Sequence, residues 1–130
     1  MPSQAKNGPY MKLFRWLFAW RSVRSEALHY YRLGMARDKK GDSDAAIAAY
    51  SSAISTANAP DDVTAMALYN RALLFAARGE NHNAAADLKA IMVMPTSVRG
   101  VTDAAKRRLE RLRRRKDAAE SAQGQHKSKS

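Results

Sequence analysis

From Ala27 to Met94, apolar residues recur three and four apart in four runs. No segment alternates apolar and polar residues as a half-buried strand would. ALHYYRLGMARDKK runs to Gly41, AAIAAYSSAISTA to the loop ANAPDD, DDVTAMALYNRALLFAAR to Gly79, and NAAADLKAIMVM to Pro95. The pattern predicts an all-α chain built from helix–turn–helix pairs, with each glycine at a left-handed C-terminal position. Asp42, Ser43 and Asp44 supply a cap and first-turn acids for the second helix, Asp61 and Asp62 do so for the third, and Asn81 is the expected cap of the fourth. A shift of 38 residues lays Tyr31 on Tyr69, Gly41 on Gly79, Ala46 on Ala84 and Ala53 on Ile91 without a gap. One structural unit is written twice.

Within each copy, an aromatic or leucine is followed by Leu-Gly or a small residue, then by small and large residues on the second helix and a closing proline. Tyr30, Leu33, Gly34, Ala46, Tyr50, Ala53 and Pro60 carry this order in the first copy. Leu68, Ala72, Phe75, Ala84, Leu88, Ile91 and Pro95 carry it in the second. At these residues, over roughly 28–95, the chain resembles the tetratricopeptide repeat family, although Arg37 and Arg71 stand where tyrosine and leucine are usual. The resemblance implies a short α-solenoid of antiparallel helix pairs. It also implies that the first helices' inner faces line a groove for a partner protein: Leu28, Tyr31 and Met35 from one copy, and Met66, Tyr69 and Leu73 from the other, with Asn70 and Arg71 nearby. Family members that hold a partner's C-terminal carboxylate use lysine and asparagine positions, of which only Asn70 matches here. An apolar or amphipathic partner segment is therefore the expected ligand. The competing reading makes the same residues helix-packing core.

Two pairs cannot bury their faces alone, so both ends need covers. Val98, Val101, Ala105, Leu109 and Leu112 form a stripe that predicts a capping helix over 98–118. Ahead of the repeats, residues 10–24 concentrate Tyr10, Phe14, Trp16, Phe18 and Trp20, half of the chain's ten aromatics. The longest apolar run there, Trp16 to Trp20, is too short to span a bilayer, and Arg15 breaks any signal-peptide core. Three readings stay open: a helix packed on the repeats or lying in their groove as a self-ligand, an interfacial membrane anchor, and a targeting segment. Phe14, Trp16, Phe18 and Trp20 are the contact residues in each. Residues 1–9 and 119–130 read as disordered tails around repeats at 25–58 and 61–95.

Charge separates body from arms. The formal net charge is +11, but residues 25–97 hold seven basic and eight acidic groups, while residues 98–130 hold eleven basic and four acidic. The density peaks over 106–116, where Arg107, Arg108, Arg111, Arg114 and Arg115 form a candidate basic surface. A second functional reading has this arm docking on nucleic acid, another polyanion or an anionic membrane. The arm has no aromatic side chain, so stacking on single-stranded bases is not expected. There is no cysteine, the three histidines are scattered, and the paired aspartates open helices. No catalytic residue, metal or cofactor is expected. The chain reads as a non-enzymatic interaction adaptor of the cytoplasm, peripheral at a membrane if residues 10–24 anchor it.

Burial of Trp16, Trp20 and one phenylalanine contributes roughly 1.5–3 kcal/mol per side chain if the segment packs on the repeats. A chain beginning at Ser22 is then expected to melt at a lower temperature than the full chain by circular dichroism; an unchanged midpoint removes the capping reading.

Overall fold

The computed structural model describes residues 9–95 and 98–129. Of the side chains from Pro9 to Ser22, it describes only Lys12 and Arg15. The described residues form five α-helices and no strand: α1 (Pro9–Lys39), α2 (Ser43–Ser55), α3 (Asp61–Ala77), α4 (Asn81–Met92) and α5 (Arg99–Ser128). None of them is long and apolar enough to cross a membrane. The backbone of the aromatic segment is the first half of α1, continuous with the first repeat helix, as the absence of glycine and proline between Tyr10 and Leu33 allows. Phe14, Trp16, Phe18 and Trp20 lie outside the described side chains. The chain divides into two compact units with the boundary at Thr64 and Ala65, inside α3.

In the first unit, α1 and α2 form a hairpin closed by a Schellman turn. Gly41 takes φ 79°, the left-handed conformation that costs glycine nothing. The Asp42 N–H donates to the Arg37 carbonyl at 3.0 Å and the Gly41 N–H to that of Asp38 at 2.9 Å. Asp42 then caps α2, its Oδ1 accepting from the Ala45 N–H at 3.1 Å. The interior of the hairpin is made of small residues and one ring: Ala27, Gly34, Ala46, Ala49, Ala53 and Tyr50 are buried. A Cβ on residue 34 would sit 2.5 Å from the Tyr50 ring, so glycine there is a packing requirement. Tyr31 meets the same ring at a centroid distance of 5.9 Å. At the end of α2, the hydroxyls of Ser51, Ser55 and Thr56 donate to carbonyls four residues back. Asn58 then turns the chain at φ 58° toward α3.

In the second unit, the closure after α3 repeats the first one bond for bond. Gly79 has φ 79°, Glu80 N–H donates to Phe75 at 2.8 Å, and Gly79 N–H to Ala76 at 3.1 Å. The cap differs. Glu80, not Asn81, is the N-cap of α4 and makes no side-chain capping bond. Its longer side chain instead accepts from Asn83 Nδ2 at 3.0 Å and pairs with Arg78 Nε at 3.1 Å. Ala65, Ala72, Ala84, Leu88 and Ile91 are buried at the positions equivalent to Ala27, Gly34, Ala46, Tyr50 and Ala53. α5 and its N-cap residue place Val98, Ala105 and Leu112, seven residues apart, in this unit's core against α4, with Val101 and Leu109 half-buried beside them. Composition predicts a tail without structure from residue 119, yet α5 continues to Ser128 with every residue from Arg113 exposed. Alanine, glutamate and glutamine in this stretch favour helix locally, and no proline interrupts them.

Gly34→Ala is expected to destabilise the chain by about 1–3 kcal/mol through overpacking against Tyr50. The pair Gly34→Ala with Tyr50→Leu copies Ala72 and Leu88 and should recover most of that loss in urea unfolding; no recovery would show that the ring does not set the glycine requirement.

Candidate interaction surfaces

The 38-residue register brings out a row of apolar residues that neither copy fully buries. Leu28, Tyr31 and Met35 occupy one face of α1 at spacings of three and four, the first two half-buried and Met35 43% exposed. Their equivalents on α3, Met66, Tyr69 and Leu73, are all half-buried, as is Asn70 beside them. The flanking positions Ala27 and Gly34, and Ala65 and Ala72, are fully covered, so each row borders a packed helix face. Tyr31 is partly committed to packing through the Tyr50 ring.

A bidentate ion pair joins α3 to α4 in the second unit. Arg71 Nε donates to Asp87 Oδ2 at 2.8 Å and Nη2 to Oδ1 at 2.7 Å, with side-chain exposures of 20% and 9%. The guanidinium also stands 5.7 Å from the Phe75 ring centroid. Fork geometry and low exposure make this pair stronger and more directional than a surface bridge. Arg24 and Asp62 in the first unit, 3.2 Å apart with about half of each side chain in solvent, form such a surface bridge. The sequence patterns do not pair Arg71 with Asp87, but a signal exists. The register lays Arg71 on Leu33 and Asp87 on Ala49, so opposite charges occupy two positions that are apolar in the other copy.

The basic residues named from the sequence all lie on α5. Arg107, Arg111, Arg114 and Arg115 are exposed and Arg108 is half-buried. Arg107, Arg111 and Arg114 recur four and three residues apart opposite the buried Ala105 and Leu112, forming an outward row. Between α4 and α5 lies an open crevice of about 780 Å³ with an apolar floor at Ala85, Leu109 and Leu112 and a rim that includes Lys89 and Arg113. His29, His82 and His126 are exposed, and no cluster of three metal-ligating side chains occurs among the described residues.

Asp87→Ala, which strands the Arg71 guanidinium, is expected to cost about 2–4 kcal/mol. Arg71→Leu with Asp87→Ala, which copies the first repeat, should cost markedly less in the same unfolding cycle; additive losses would show that the two side chains contribute independently. No family model, curated protein or solved structure matches this chain.

Proposed function

We propose that the chain is a non-enzymatic adaptor of tetratricopeptide-like repeats that binds apolar or amphipathic segments of a partner protein, with the row Leu28–Tyr31–Met35 as the contact surface of one unit and the row Met66–Tyr69–Leu73 as that of the other. One observation carries the reading: the repeat preserves, in register, three apolar side chains left incompletely buried next to fully covered small residues. Unfilled apolar surface on a packed helix face gains free energy from a partner's apolar side chains, roughly 25 cal/mol per Å² removed from water. The identical Schellman closures at Gly41 and Gly79 support the repeat assignment at the level of backbone hydrogen bonds. The replacement of lysine and asparagine by Tyr31 and Met35 favours an apolar ligand over a carboxylate-terminated one.

The test places a photo-reactive residue at Met35 or Leu73 in the full chain and identifies what crosslinks. The expected result is the same partner from both positions, in a complex that survives about 1 M salt, where the Debye length falls to about 3 Å. Met35→Glu with Leu73→Glu should weaken that complex at least tenfold without lowering the melting midpoint. A complex that dissolves in salt, or that ignores both glutamates, would defeat the adaptor reading.

A further inference from the structure

Past Leu112, α5 leaves the core. From Arg113 to Lys129 every residue is exposed, and the helix persists to Ser128, about 24 Å at 1.5 Å per residue. Four consecutive cations, Arg113, Arg114, Arg115 and Lys116, follow the last buried residue; Arg113, Arg115 and Lys116 border the crevice beside α4, and Arg114 continues the outward row. At 100° per residue they reach around about 300° of the helix, so the collar has no neutral side wide enough to be called a face. Arg107 and Arg111 continue the charge along the outward row. Among the described residues these five arginines form no ion pair. Lys116 has only a long contact of 3.8 Å to Glu120, with both side chains mostly in solvent.

The geometry points to duplex DNA as the ligand of this helix, with residues 113–128 lying in the major groove and the Arg113–Lys116 collar meeting phosphates on both walls. A helix of 10–12 Å diameter matches the roughly 12 Å width of that groove. The deep, narrow major groove of A-form RNA does not admit one. A flat acidic protein surface could neutralise only one side of a collar whose charges point all round. Bilayer insertion needs large apolar side chains, and between Arg113 and Lys129 the apolar residues are alanines. Single-strand binding relies on stacking aromatics, and the stretch has none. Beyond the collar, Asp117, Ala119, Glu120 and Gln123 border the crevice beside α4, while Ala118, Ser121, Ala122 and Gly124 keep the other sides slim enough for close approach and Gln125 can hydrogen-bond a base edge. This binding stands apart from the apolar rows and does not depend on them.

The experiment titrates the full chain into labelled duplex DNA of about 20 base pairs, a duplex RNA of equal length, and phosphatidylserine vesicles, over a range of salt. The expected result is DNA bound at least tenfold more tightly than either, with a log–log salt slope near −4 or steeper. Arg113→Gln with Arg114→Gln and Arg115→Gln, which keeps helix propensity, should flatten the slope by about 3. Lys39→Gln with Lys40→Gln, which removes charge from exposed residues of the other unit, should leave it unchanged. Ala122→Pro, confined to the uncovered stretch, should abolish the preference for DNA over RNA while the arginines remain. RNA bound as tightly as DNA, vesicles bound as tightly as DNA and released by the arginine substitutions, equal flattening by the lysine variant, or a DNA preference that survives Ala122→Pro would each overturn the inference.

Discussion

The chain's architecture rests on a conformational constraint at two residues. For α1 to hand over to α2 in three residues, the backbone must pass through the left-handed region, and Gly41 does so at φ 79°; Gly79 does the same between α3 and α4. The reversal lets two donors reach back to the carbonyls of the last turn, so the helix end leaves fewer polar groups unpaired. It also fixes the phase at which the next helix starts. That phase puts Ala46 and Tyr50 against α1, and the same offset puts Ala84 and Leu88 at the equivalent buried positions. A side chain with a Cβ at either turn would strain the reversal and shift every contact that follows.

Given equal closures, the copies differ in what fills them. The first hairpin closes on a ring and a glycine. The second uses alanine, leucine and an ion pair at positions that are Leu33 and Ala49 in the first. Burying Asp87 is costly unless its oxygens are satisfied, and the Arg71 fork satisfies both. Such a pair tolerates little change in helix separation or register, whereas apolar contacts shift more freely. The second unit is therefore the more narrowly specified of the two. It also receives α5, whose Ala105 and Leu112 add apolar cover that α4 alone does not have.

Features governed by local chemistry were readable from the sequence. The helices follow from periodicity, their ends from Gly41, Gly79 and Pro95, the α2 cap from Asp42, and the α5 stripe from Val98, Ala105 and Leu112. Glu80 was not readable as a cap because one extra methylene redirects its carboxylate to Asn83 and Arg78, a choice made by neighbours rather than by residue class. Beyond residue 119 the polar composition points to disorder, whereas local propensity sustains a helix that buries nothing. The Arg71–Asp87 pair escaped because its members lie on different elements, and their proximity appears only when the two copies are aligned. Of the candidate rows, spacing gave the residues; their incomplete burial needed coordinates.

The contrast between Gly34 with Tyr50 and Ala72 with Leu88 limits the routes by which one packing can be converted into the other. Adding the methyl first meets the ring at once. Trimming the ring first gives up its contact with Tyr31 and leaves a void that neighbouring side chains can only partly close. Sequence change at this contact is thus coupled: either single step passes through a less stable chain, by crowding in one order and by a void in the other, and only the paired change carries one packing into the other.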